Sequence, residues 1–207
     1  MNLFANQSSS VEDSIPILQR WDSVIAPEAC GQIIAYMQAS KNTDGLVLRG
    51  GIESLDLETR VCNVHQVPQT IVDRVLQCIL HLKKEILEYF NLPSCSTNGP
   101  YLVSYSRGAF FRLHQDTANN INDPLCVTDR ELTIVLYLNG REETTYTPSF
   151  DGGALAVYDP SHPGSSGRLL VIPQVGTLVA FRSKCLHEVL TIHEGVRYAV
   201  LCWFLKH

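Results

Sequence analysis

From residue 100 onward the sequence is a succession of short apolar runs with no helix-length segment between them. "YLVSYS", "FFRLHQD", "ELTIVLYLN", "GALAVYD", "RLLVIP", "GTLVAFR", "HEVLTI" and "VRYAVLCWF" follow one another, most of them parted by Gly, Pro, Asn or Asp. Each run has strand length and a β-branched or aromatic bias, and the residues between them are those of turns. Strands joined without crossover helices pair antiparallel, and a large set of them hides its apolar faces by forming a sandwich or barrel. The second half of the chain must therefore be a β core.

The first half reads differently. Residues 1 to about 14 are polar and are expected to be loose. "APEACGQIIAYMQAS" predicts a helix, with Pro27 in its first turn and Cys30, Ile33, Ile34 and Met37 at helical spacing. "PQTIVDRVLQCILHLKKEILEYF" predicts one long helix with the stripe Val72, Val75, Leu76, Ile79, Leu82, Ile86 and Phe90, stopped by "NLP". Lys83 and Lys84 interrupt its apolar run and are expected to reach solvent. Residues 41 to 66 carry mixed signals and read as loop and short strand. A length of 207 residues suits one sizeable domain. The expectation is an α+β fold with a mainly β core: one domain over 1–207, with a helical flank over 15–99 and the β core over 100–207.

Composition narrows the function. A formal net charge of −5 disfavours wrapping nucleic acid or lying on an anionic membrane. The seven cysteines include no C-x-x-C pair, and their odd number and irregular spacing do not read as a disulfide framework. "MNLFANQSSSVEDS" lacks the basic start and apolar stretch of a signal peptide, and runs such as "LTIVLYL" are too short to cross a bilayer. The expected setting is the reducing cytoplasm, with no membrane partner.

Within "FRLHQD", His114 and Asp116 are two residues apart, and on a strand they share a face. They read either as half of a metal site or as two solvated residues at a strand end. A facial-triad Fe(II) site needs two histidines and a carboxylate, with the remaining positions open. Of the other histidines, His65 and His81 belong with the helical part, His162 sits in a turn and His207 is terminal. That leaves His187, within an alternating apolar strand, and His193, beside the turn "HEGV"; His187 is the favoured third ligand.

"YSRGAFFRLHQD", "RELTIVLYLN", "DGGALAVY", "GTLVAFRSKCLHEV" and "GVRYAVLCWF", in that order, resemble the prolyl-4-hydroxylase-like branch of the 2-oxoglutarate and Fe(II)-dependent oxygenases. The resemblance covers about residues 100 to 205, and the "APEAC" helix is similar to that family's N-terminal part. It implies a double-stranded β-helix (jelly roll) flanked by N-terminal helices, with His114, Asp116 and His187 as iron ligands. Related halogenases replace the carboxylate by a small residue; Asp116 is present, so hydroxylation is implied. The implied cofactors are Fe(II), 2-oxoglutarate as cosubstrate and O2, with ascorbate a candidate reductant.

The same resemblance implies a cosubstrate pocket. Arg197 stands ten residues after His187, where relatives clamp the distal carboxylate of 2-oxoglutarate. A guanidinium grips a carboxylate bidentately and keeps its charge, and a buried arginine without a partner is unfavourable. Tyr105, nine residues before His114, and Thr133 and Tyr137, which share strand parity, match positions that line that pocket. Arg130 and Trp203 match substrate-side positions of prolyl hydroxylases, but Phe111 stands where many of them carry tyrosine, and Leu205 lacks a polar group some relatives present. Peptidyl proline is thus one option among peptide residues, amino acids and small metabolites. Cys185 reads as packing, not as a nucleophile. Loops over about 117–130 and 141–151 are expected to border the mouth, with Tyr146 and Phe150 in a lid or an ordinary hairpin loop.

Two other readings stay open. One is a jelly-roll metal protein that is non-catalytic or independent of 2-oxoglutarate, against which Arg197 and Tyr105 count. The other is a nucleic-acid demethylase, which usually carries an arginine six residues beyond the clamp, where this chain has Trp203.

Overall fold

The computed structural model describes residues 16–118, 122–162 and 167–206. The N-terminal stretch expected to be loose, part of the loop after Asp116, the end of the turn after His162, and His207 lie outside them. The chain runs β1 (Leu18–Trp21), α1 (Pro27–Ala39), β2 (Lys41–Asp44), β3 (Val47–Arg49), β4 (Ile52–Ser54), β5 (Arg60–Val61), β6 (Asn63–Gln66), α2 (Gln69–His81), α3 (Lys83–Tyr89) and β7 (Ser96–Ser106). It continues through β8 (Phe110–His114), α4 (Leu125–Thr128), β9 (Arg130–Tyr137), β10 (Phe150–Gly152), β11 (Leu155–Tyr158), β12 (Arg168–Val171), β13 (Leu178–Arg182), β14 (His187–Val189) and β15 (Ile192–Leu205).

These strands form two antiparallel sheets and a small hairpin. The major sheet has the order β1-β13-β9-β15-β7-β6-β2, with β10 also on β15; the minor sheet is β12-β11-β14-β8-β5; β3 and β4 pair with each other. Alternation along the major sheet sorts its side chains into two cores. Leu132, Ile134, Leu136, Val200, Cys202 and Phe204 point to one face, where Ile33, Met37, Val75, Ile79 and Ile86 of the helices meet them. Val103, Tyr105, Val135, Tyr137, Val179 and Ala199 point to the other and pack against Leu155, Val157 and Val189 of the minor sheet. The major sheet is thus buried on both sides, which is why β9 and β15 read as continuous apolar runs instead of alternating ones. The layers are helices, major sheet, minor sheet: the jelly-roll arrangement that was expected, as two facing sheets.

Several expectations are corrected. Residues 15–99 are not only a helical flank: β1, β2 and β6 extend the major sheet and β5 the minor one. His65 accordingly lies in β6, within the sheet, where its Nε2 meets Ser104 Oγ at 2.8 Å. The long helix is two, α2 and α3, interrupted at Leu82, and Ile71 rather than Val72 is its first buried residue. Lys83 turns inward, its ammonium on the carbonyl of Cys95 and 5.5 Å from the Phe204 ring, whereas Lys84 is exposed. The 141–151 loop does not border the cavity between the sheets: Phe150 pairs with Gly195 through β10, and the Tyr146 backbone lies against Gly31 of α1. The mouth is bordered by the β3–β4 hairpin and the stretch after Asp116. At the hairpin tip, Gly51 (φ +82°) donates its N–H to Asp123 Oδ1 at 2.7 Å, and a Cβ there would lie 2.3 Å from the carbonyl oxygen of Asn122. Among the described residues no helix is long and apolar enough to cross a membrane.

Candidate metal centre

His114 and His187 face each other directly across the β8–β14 ladder, as register partners. Asp116 follows immediately, its N–H bonded to Ser183 O at 3.0 Å, which turns the chain so that its carboxylate enters between the rings. Asp116 Oδ1 is 3.5 Å from His114 Nε2, and Oδ2 is 3.5 Å from His187 Nε2. The ligand atoms of the three all lie within 4.8 Å of one another. His193 is elsewhere, on the surface beside Asp151.

Each imidazole is oriented by the same local device. His114 Nδ1 donates to Arg112 O at 2.7 Å and His187 Nδ1 donates to Cys185 O at 3.0 Å, in both cases to the carbonyl two residues earlier. Holding the proton on Nδ1 leaves the Nε2 lone pair free for a cation. The His114 ring also stacks on Phe111, with centroids 3.5 Å apart. The carboxylate is braced too: Asp116 Oδ2 accepts from Thr133 Oγ1 at 2.7 Å and from Trp203 Nε1 at 3.0 Å. Burial alone would push the Asp116 carboxyl up, but the His187 and His114 imidazoles hold it well below the usual carboxylate range. Burial pushes His114 below the ordinary imidazole value, against the pull of Asp116. An ionised Asp116 carboxylate beside a His114 imidazole biased toward its neutral form suits a divalent cation.

The three side chains open into a cavity of about 620 Å³ between the sheets. Arg197, the β7 partner of which is Tyr105, reaches into the same cavity. It is 1% exposed, and its Nε and Nη1, like the hydroxyl of Tyr137, have no hydrogen-bond partner among the described residues. Its guanidinium lies 5.2 Å from the Tyr105 ring and 5.1 Å from that of Tyr137. Thr133 lines the cavity as well, with its hydroxyl engaged by Asp116 and Ser183. Arg130 lies over the Trp203 ring at 3.7 Å and donates Nη1 to the carbonyl oxygen of Asp116. Nine of the ten residues singled out from the sequence line this cavity, and the tenth, Tyr137, packs behind Arg197. Sequence reasoning missed Ser183, which fixes Asp116 through its backbone, and Arg60, which lies 4.8 Å from the Phe111 ring. No sequence signal marks either. Cys185 is buried and its thiol is raised by that burial, as a packing residue's would be.

A jelly roll with a His-x-Asp…His triad opening into a cavity defines a non-haem metal protein of the facial-triad type. The sequence pattern of the 2OG-Fe(II) oxygenase superfamily matches residues 101–205, and the chain belongs to that superfamily. Membership implies Fe(II), 2-oxoglutarate and O2, and the triad provides the donor set for the iron. Similar folds include a Pseudomonas putida prolyl-4-hydroxylase, 21% identical with a TM-score of 0.66, covering 92% of each chain. A Trichoplax adhaerens prolyl hydroxylase in complex with a hypoxia inducible factor peptide fragment is 18% identical (TM-score 0.63; 91% of this chain, 83% of that one). The viral collagen prolyl hydroxylase of Paramecium Bursaria Chlorella virus-1, in its 2OG complex, is 16% identical (TM-score 0.60; 93% and 97%). No curated protein sequence matches the chain with significance.

Proposed function

We propose that the chain hydroxylates an unactivated C–H bond of a peptidyl residue, an amino acid or a related small metabolite. One atom of O2 enters the new hydroxyl and the other enters succinate, as 2-oxoglutarate loses CO2. Bound at the triad, the ferrous ion supplies activation of dioxygen, chemistry that no side chain here offers.

The protein's share is positioning. His114, Asp116 and His187 present three donors on one side and leave the cavity side open. Arg197 takes the far carboxylate of 2-oxoglutarate on its unpartnered N–H groups, with the Tyr137 hydroxyl beside it and Tyr105 forming the wall. Thr133 and Trp203 hold Asp116 at a fixed angle by donating to it. Phe111, Arg130 and Trp203 flank the space where the target carbon would lie. The observation that carries this reading is Arg197: a buried guanidinium with two unmet donors, in the same cavity as the triad, calls for an anion. Nucleic acid is not the expected substrate, since the net charge is −5 and Trp203 occupies the position of a second clamp arginine.

The test is spectroscopic. Anaerobic protein given Fe(II) and then 2-oxoglutarate should develop a weak visible metal-to-ligand band. Protein that binds Fe(II) without the band under saturating 2-oxoglutarate would instead support a 2-oxoglutarate-independent metal protein.

A further inference from the structure

Three guanidiniums line the cavity without a carboxylate partner among the described residues: Arg60, Arg130 and Arg197. The fourth, Arg49, is neutralised by Asp56 at 2.8 Å. Formal charge shows what is left over. A ferrous ion, Asp116, dianionic 2-oxoglutarate and Arg197 sum to zero, so Arg60 and Arg130 bring uncompensated positive charge to a half-buried space. The other acids on the wall, Asp44 and Glu53, are exposed and pair with neither.

Both arginines are held in place on one side only. Arg60 donates Nε to Cys62 Sγ at 3.0 Å and Nη1 to Leu46 O at 2.9 Å, with Phe111 against its plane. Arg130 donates Nε to Cys126 O and Nη1 to Asp116 O, both at 3.1 Å, with Trp203 against its plane. In each case Nη2 is left without a protein acceptor among the described residues. The two aromatic backings are the groups that touch the triad: Phe111 stacks on His114 and Trp203 bonds Asp116. Both cations therefore flank the triad side chains, and each lies within electrostatic reach of Asp116 and of the other. Immobilised guanidiniums with donors to spare are a receptor for anionic oxygens.

We propose that the substrate carries a carboxylate close to the carbon that is oxidised, received between Arg60 and Arg130. This rests on the hydroxylase reading above. A carboxylate offers one oxygen to each arginine, whereas a polyphosphate chain is opposed by the net charge of the protein. Its source is a free amino acid or related metabolite, or an acidic residue of a peptide.

The experiment uses anaerobic protein loaded with Fe(II) and 2-oxoglutarate, and reads perturbation of the visible band on adding matched probes. N-acetyl-L-leucine is compared with its amide, and N-acetyl-Ala-Asp-Ala-amide with its Asn counterpart. In at least one pair the carboxylate should bind about tenfold or more tighter than its neutral twin; the pair that discriminates identifies the source. Arg60→Gln should reduce that ratio to about threefold or less while the band itself still forms, which shows the triad and clamp intact. Equal affinities, no binding by either acid, or discrimination that survives in Arg60→Gln would overturn the carboxylate assignment and leave the hydroxylase reading standing. Failure of the band to form in the unsubstituted protein would remove both.

Discussion

Arg197→Met should uncouple stability from cosubstrate binding, moving the two in opposite directions. Arg197 is 1% exposed, and two of its nitrogens lack partners among the described residues. An unmet buried donor costs about 1–3 kcal/mol, and exchange of buried charged groups for apolar ones of similar volume is often stabilising by about 1–4 kcal/mol. Methionine fills most of the stem's volume against Tyr105 and Tyr137 and removes the unpaired charge. Because the guanidinium faces a cavity, the low end applies, a gain of about 1–2 kcal/mol in the ligand-free protein. At roughly 2–4 °C per kcal/mol for a chain of this size, Tm should rise by about 2–8 °C. The same change removes a charge-assisted bidentate contact worth about 3 kcal/mol, so the Kd for 2-oxoglutarate should rise about 100-fold. The assay is thermal unfolding with Mn(II) present, with and without 2-oxoglutarate. The unsubstituted protein should gain about 2.7 kcal/mol at 100-fold excess over Kd, and the variant almost nothing. A variant that melts lower than the parent without ligand, yet is still stabilised by 2-oxoglutarate, would refute the view of Arg197 as a destabilising, ligand-awaiting cation.

Trp203→Phe keeps an aromatic ring against Arg130 but deletes the N–H that Asp116 accepts at 3.0 Å. Fe(II) affinity should fall about 10–100-fold with the circular dichroism spectrum unchanged; undiminished affinity in a metal titration would mean that the bond to Asp116 is idle. The neighbouring lysines should behave oppositely in urea unfolding. Lys83→Met, which loses the bond to Cys95 O and the contact with Phe204, should be about 1 kcal/mol less stable. Lys84→Met, with a side chain 88% exposed and an i,i+4 pair at 3.7 Å, should shift stability by less than about 0.5 kcal/mol, and similar losses for the two would contradict the inward placement of Lys83.

Much of the site was legible because its parts are local. His114 and Asp116 are two residues apart, which keeps them close, although Asp116 lies just past the end of β8 and is turned toward the rings by its bond to Ser183 O. Strand parity does pair Thr133 with Tyr137 on β9 and Arg197 with Trp203 on β15. Even the orientation of the imidazoles is local, through the carbonyl two residues before each. What could not be read is what depends on partners distant in sequence. Arg60 lies in a stretch of mixed signals, and nothing there indicates that β5 will pair with β8 and lay its arginine against Phe111. The 141–151 loop looked like a rim element because it is long and polar, but β10 closes it onto β15, away from the cavity.

Local composition was enough to settle that a β core follows a helix-rich flank, because strand and helix periods are written residue by residue in the side chains. Order along the chain also placed both triad histidines and the clamp arginine on strands. Tertiary structure alone decided that residues before 100 would complete both sheets, that Lys83 would turn inward, and that Arg60 would join Arg130 on the wall of the cavity. Those outcomes depend on which backbone edges and apolar faces find each other across the whole molecule. Such pairing energy belongs to two distant segments at once and is carried by neither alone.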